Sequence, residues 1–165
     1  MQESLRYLIA VPLLVLAGCA SLRDEDAGEP PPAVQAVQVS AKGTEVVLFA
    51  LSLIDTGYRF GGKNPEAGLD CSGMVSYIYG QAAGIKLDGS AAQMAKQGRP
   101  VAYREMEPGD LVFFNTRNRP RSHVGIYLGE GKFVHAPQSR GKVRVSSLRS
   151  GYFATRFEEA RRFLD

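Results

Sequence analysis

Between Thr44 and Gly57 apolar residues recur at helical spacing: Val47, Leu48, Leu51 and Ile54 fall on one face, Thr44 can cap the start and Gly57 can end it. A glycine-rich loop from Phe60 to Gly68 follows. Asp70 then precedes a second helical pattern with Val75, Ile78 and Tyr79 inward and Gly80 and Gly84 near its end. A short third helix fits Ala91 to Lys96. Beyond Pro108 the pattern alternates instead, which predicts strands over Asp110 to Phe114, His123 to Leu128, Lys132 to Ala136, Val143 to Ser146 and Thr155 to Phe163. Helices first and strands afterwards predict an α+β domain whose antiparallel sheet is covered on one side by the N-terminal helices.

Upstream of Ala41 the pattern is different. Arg6 precedes an apolar stretch from Tyr7 to Gly18 that is broken by Pro12 and too short to cross a bilayer as a helix of roughly 20 residues. Leu16, Ala17, Gly18 and Cys19 resemble a bacterial lipobox, so residues 1–18 are expected to be a lipoprotein signal peptide and Cys19 a lipidated (palmitate-bearing) residue that anchors the chain to a membrane. Ala20 follows, with no Asp to act as an inner-membrane retention signal, so the expected location is the cell envelope, at the outer membrane facing the periplasm. Residues 19–40 carry Asp24, Glu25, Asp26 and Glu29, then Pro30, Pro31 and Pro32. That composition predicts a disordered tether. The folded domain is then 41–165.

Composition narrows the rest. With 165 residues, 44% hydrophobic and 22% charged, the chain holds one domain with a real core, which excludes a wholly disordered chain. Two cysteines exclude a disulfide-dense scaffold. A net charge of +3 does not call for nucleic acid, and no nucleic-acid partner is expected. The chain is expected to be a monomer that needs no cofactor and no metal.

If Cys19 carries lipid, Cys71 has no partner for a disulfide. Asp70-Cys71-Ser72-Gly73 puts the thiol in the first turn of a helix, where free N–H groups and the dipole are expected to lower its pKa. Asp70 is assigned to capping. The alternative is a small buried hydrophobe. A thiolate nucleophile needs a base, and the chain has only His123 and His135. The strands that carry them meet at Gly129-Glu130-Gly131. A three-residue loop there pairs Leu128 with Lys132, sets Gly125 opposite His135 and turns both imidazoles to one face, whereas a two-residue loop would separate them. Val124, Ile126, Leu128, Val134 and Ala136 fill the other face. One histidine as base and a second orienting it fit a thiol hydrolase.

Tyr58-Arg59-Phe60-Gly61-Gly62, Pro65, Gly68-Leu69-Asp70-Cys71-Ser72-Gly73-Met74-Val75, Pro108-Gly109-Asp110-Leu111-Val112-Phe113-Phe114, His123-Val124-Gly125-Ile126-Tyr127 and His135-Ala136-Pro137 resemble the NlpC family of bacterial cell-wall cysteine peptidases, in order over nearly all of Thr44 to Phe163. The resemblance implies a papain-like α+β fold and hydrolysis of peptidoglycan stem peptides, usually between D-glutamyl and a diamino acid. It makes Cys71 the nucleophile, His123 the base and His135 the third member. Tyr58 matches a tyrosine near the oxyanion site, to act with the Cys71 N–H; its alternative is a core aromatic. Asp70 and Ser72 are candidate contacts to a substrate amine. Leu69 and Met74 depart from the bulkier or branched residues often found beside the nucleophile.

Arg117, Arg119 and Arg121 form one basic cluster and Arg140, Lys142, Arg144 and Arg149 another. They fit solvated loops and strand edges, or else attraction to the carboxylates of stem peptides or to anionic lipid headgroups. Other readings of the chain are a metal site built from Cys71, His123 and His135, a non-catalytic wall-binding lipoprotein, and an amidase or acyl-transfer enzyme with the same thiol chemistry.

Overall fold

The computed structural model of the chain describes residues 40–138 and 141–165. The expected signal peptide, Cys19 and the tether as far as residue 39 lie outside the described residues, as does Arg140.

Helix α1, Ala41–Ser52, starts earlier than the pattern predicts. Ser40 is the cap, its hydroxyl accepting the Gly43 N–H at 2.9 Å, and the Thr44 hydroxyl donates back to the Ser40 carbonyl. The buried stripe also differs: Val46, Ala50 and Leu53 face the core, while Leu48, Leu51 and Ile54 are exposed. Both stripes have helical spacing, so spacing cannot choose between them. The small residues Gly43 and Ala50 decide it, because they let the helix lie close to its neighbours, and Gly43 sits against Gly109.

Helix α2, Cys71–Ala83, follows the sequence closely. Asp70 caps it, Gly84 closes it with φ of 67°, and Met74, Val75, Ile78 and Tyr79 are fully buried. The Tyr79 hydroxyl donates to the Gly109 carbonyl, tying α2 to the turn before the sheet. Ahead of α2, the two-residue strands β1 (Lys63–Asn64) and β2 (Gly68–Leu69) pair antiparallel within the glycine-rich loop, an element with too few side chains to leave a pattern. Helix α3 is Ala91–Met94.

Six strands form one antiparallel sheet: β3 (Arg99–Val101), β4 (Leu111–Phe114), β5 (His123–Gly129), β6 (Lys132–His135), β7 (Arg144–Ser147) and β8 (Phe157–Arg162), in the order β3-β8-β4-β5-β6-β7. The sequence pattern misses β3, an edge strand that is mostly exposed and contains Pro100. The α+β class stands. The N-terminal helices cover one side of the sheet, as expected, and the expectation leaves out only that the other side is buried too. Val124, Ile126, Val134, Leu111 and Phe113 pack under α1 and α2, while Val112, Phe114, Phe133, Tyr127 and Leu148 form a second core on the opposite face, joined by Phe153 and Phe157 from the chain between β7 and the end of the sheet.

Asp110, only 2% exposed, anchors the centre of this sheet. Its oxygens accept two hydrogen bonds from the Arg162 guanidinium, each at 2.8 Å, and the Glu107 N–H at 2.8 Å.

The hairpin that carries the histidines keeps the expected register by another device. Glu130 and Gly131, with φ of 53° and 74°, make a two-residue turn that pairs Gly129 with Lys132, and the register then shifts by one residue so that Ile126 opposes Val134. The bulge at Leu128 restores the parity that the tight turn would have reversed.

Candidate active site

The turn that carries Cys71 is fixed by its neighbours Asp70 and Gly73. The Asp70 carboxylate accepts the Gly73 N–H at 2.7 Å and the Ser72 hydroxyl at 3.0 Å through Oδ1, and the Gly61 N–H at 2.9 Å through Oδ2. The Asp70 N–H donates to the Gly62 carbonyl at 3.0 Å. Gly73 packs directly against that carbonyl, where any Cβ would collide with the oxygen. These contacts lock the glycine-rich loop to the first turn of α2. Asp70 is therefore a cap, as the sequence suggests, and Ser72 spends its hydroxyl proton on it; both also line the cleft beside Cys71.

The half-buried Cys71 sulfur sits where α2 packs on the start of β5, near the backbone N–H of Val124, the residue after His123. The expected depression of the thiol pKa is not what this environment gives. Burial pushes the thiol up and the Asp70 carboxylate adds to the rise, while the Val124 and Ser72 N–H groups and Arg117 only oppose it. The helix terminus is there, but desolvation outweighs it.

His123 and His135 lie on one face, as the register predicts. His123 Nε2 and His135 Nδ1 are 2.8 Å apart, and His135 Nε2 is 2.9 Å from the Ser146 hydroxyl. Nε2 being engaged, Nδ1 is the His123 nitrogen left for the thiol. One proton arrangement serves that end: His123 donates from Nε2 to His135 Nδ1, His135 donates from Nε2 to Ser146, and His123 Nδ1 keeps an open lone pair. Rings at this distance hydrogen-bond to each other and do not share an ion. Among the described residues no three His, Cys, Asp or Glu side chains converge as metal ligands, so the three-ligand arrangement of Cys71, His123 and His135 is not found.

An aromatic box surrounds the pair. Phe153 stacks on His123 at 5.8 Å and meets His135 edge-on at 4.7 Å, with Phe114 beside His123 and Phe133 beside His135. Gly125 leaves the space: a Cβ there would come within 2.6 Å of Phe133 and 3.3 Å of the His135 Cβ. Burial lowers His123 to about 4, aided by the Arg117 charge and opposed by Asp70. His135 is lowered to about 2, by burial first and then by His123 and Arg144. Thiol and imidazoles are thus all neutral at pH 7.

Tyr58 lines the same cleft as Cys71. It is fixed by its N–H to the Gly141 carbonyl at 2.9 Å and by a bridge to Leu69. Burial raises its hydroxyl pKa, as do Cys71 and Asp70, while Arg117 opposes. The hydroxyl thus stays protonated, a donor near the sulfur. Sequence reasoning missed Ser146 and Phe153. Ser146 was within reach, since Arg144 opposes His135 and alternation puts residue 146 on the same face. Phe153, on an irregular segment, left no signal.

The segments that build this site also match known proteins. Residues 55–162 match the NlpC/P60 family. The chain is 44% identical over 119 residues to a gamma-DL-glutamyl hydrolase of Bacillus subtilis, covering 72% of this chain and 29% of that protein. It is 36% identical over 127 residues to the murein DD-endopeptidase MepH of Escherichia coli, covering 74% of this chain and 47% of that one. The chain thus spans less than half the length of either relative. Among solved structures, the NlpC/p60 domain of the peptidoglycan hydrolase SagA superposes with a TM-score of 0.64 at 34% identity, over 73% of this chain and 98% of that domain. With the papain-like α+β fold observed, and with Cys71, His123 and His135 all inside the matched span, this chain belongs to the NlpC/P60 family.

Proposed function

We propose that the chain is a cysteine endopeptidase that hydrolyses peptidoglycan stem peptides, at the bond between D-glutamyl and a diamino acid. The observation that carries this reading is a half-buried thiol at the head of α2, packed where β5 begins, with a histidine at that strand end whose Nε2 is already committed to His135. Because thiol and imidazole are neutral at rest, proton transfer accompanies attack. His123 Nδ1 takes the thiol proton as sulfur bonds to the scissile carbonyl carbon, and the carbonyl oxygen becomes an oxyanion. The Cys71 N–H, free of an intrahelical partner at the first helical position, and the Tyr58 hydroxyl are the donors for that oxyanion. His123 passes the proton to the leaving amine, the C–N bond breaks and a thioester remains. Water, deprotonated by His123, then cleaves the thioester to a carboxylate and restores the thiol. His135 and Ser146 hold the His123 ring and share its charge while it is protonated.

The names of the B. subtilis, E. coli and SagA relatives support peptidoglycan and γ-glutamyl peptides as the substrate class. Asp70 and Ser72, on the cleft wall, are the proposed contacts for a substrate amine. The Leu16-Ala17-Gly18-Cys19 motif and the acidic, proline-rich stretch after it support a lipid anchor at Cys19 that holds the domain at the periplasmic face of the outer membrane. Incubating the protein with muropeptides and weighing the products tests the reaction. Fragments from cleavage after D-glutamyl, absent with Cys71→Ala, are expected. Uncleaved muropeptides under reducing conditions, or cleavage by Cys71→Ala, would contradict it.

A further inference from the structure

The loop between β4 and β5 presents three guanidinium groups, Arg117, Arg119 and Arg121, to a cleft of about 530 Å³ that contains Cys71 and Tyr58. They are not equivalent. Arg121 is neutralised by Glu159 at 2.8 Å, and its N–H is held by Glu158. Among the described residues Arg117 and Arg119 have no carboxylate partner. Of these two, Arg117 is the one whose charge is felt at the site, by the Tyr58 hydroxyl, the Cys71 thiol and the His123 ring. For the reaction this is a liability at rest, since a cation with no carboxylate to offset it makes His123 a poorer proton acceptor. An anion arriving with the substrate would remove that handicap at the moment the base is needed.

The geometry also says which part of a substrate would bring it. The acyl group stays on sulfur, in the cleft that Arg117 lines, whereas the amine leaves with a proton from His123. That histidine lines a separate cavity of about 440 Å³ with Arg144, Tyr152 and Phe153. A glutamyl residue linked through its side-chain carbonyl keeps its α-carboxylate free on the acyl side. Resting on the peptidase reading above, we propose that Arg117 binds the free carboxylate of the acyl-donating residue, making it the residue that selects acidic over amidated stem peptides.

Two synthetic peptides test this, alike except that the γ-linked glutamyl residue bears an α-carboxylate in one and an α-carboxamide in the other. Wild-type protein is expected to favour the carboxylate by about tenfold or more in kcat/KM, the scale of a charge-assisted hydrogen bond. Arg117→Gln should lose that preference by slowing only on the carboxylate peptide, and Arg117→Lys should keep part of it. Arg117 is exposed, so an unchanged unfolding midpoint should accompany both. Equal rates on the two peptides by the wild type, or an equal fall on both in Arg117→Gln, would overturn the assignment and leave the peptidase reading standing. Failure of the wild type to cut either peptide would overturn both.

Discussion

The two faces of the six-stranded sheet are both buried, yet they are built from different materials. Under α1 and α2 the contacts are mainly aliphatic: Val46, Ala50, Met74, Val75 and Ile78 against Leu111, Val124, Ile126 and Val134. On the opposite face Phe114, Phe133, Phe153 and Phe157 meet at centroid distances of 4.7 to 6.1 Å, and the two histidines lie among them. Aromatic rings leave flat slots that accept an imidazole and keep water from it. The aliphatic face delivers the sulfur, by fixing a helix terminus through its backbone. The aromatic face delivers the histidine proposed as the base, by fixing side chains through each other. Neither face holds the whole site, which forms only where β5 begins and the two sets of contacts meet.

This contrast can be broken from either side. The largest effect is expected from Gly73→Ala, because the new methyl group would strike the Gly62 carbonyl and force apart the loop and helix that hold Cys71. A loss of about 3 kcal/mol in urea unfolding, with loss of activity, is expected; a stable, active variant would show that the backbone lock is dispensable. On the aromatic face, Phe153→Ala should cost about 2 kcal/mol, less than a fully buried ring because Phe153 is half-buried. It should also move His123 from about 4 up towards 6.5, measured by NMR titration, as water reaches the ring. An unmoved titration would mean that burial by this ring is not the cause.

Stability against pH tests both histidines together. The folded protein keeps them neutral to about 4 and about 2, while the unfolded chain protonates them near 6.5. The unfolded state thus binds more protons below pH 6.5, and stability falls as pH drops from there. Between pH 6.5 and 5, above the carboxylate range, the slope should approach about 1.4 kcal/mol per pH unit for each histidine. His135→Asn should halve it, and a flat profile would contradict the buried neutral pair. The smallest effect is expected from Ser146→Ala. His135 loses one hydrogen bond, worth about 1 kcal/mol, so kcat should fall severalfold with KM little changed. A fall as large as that from losing His135 itself would make Ser146 a full member of the catalytic set.

What the sequence revealed of this site follows the same division. The helix side was legible because its determinants are local: Asp70 caps a neighbouring turn, Gly84 ends the helix, and Cys71 is placed by its own position in the chain. The histidine pair was legible through strand parity, although a two-residue turn with a bulge supplied it in place of a three-residue loop. The stripe on α1 was misplaced because Val46-Ala50-Leu53 and Leu48-Leu51-Ile54 have equal claims to periodicity, and only the close approach at Gly43 separates them. The thiol's raised pKa and the box around the histidines depend on burial by residues far along the chain, Phe153 among them. No local pattern carries that.

Rapid acid quenching during turnover, followed by peptide mapping with mass spectrometry, tests the central claim most directly. The reading of Cys71 as nucleophile predicts a thioester on the peptide containing Cys71, carrying the mass of the acyl half of the substrate and absent from Cys71→Ala. Turnover at full rate with no adduct on Cys71, or with the adduct on another residue, would contradict it.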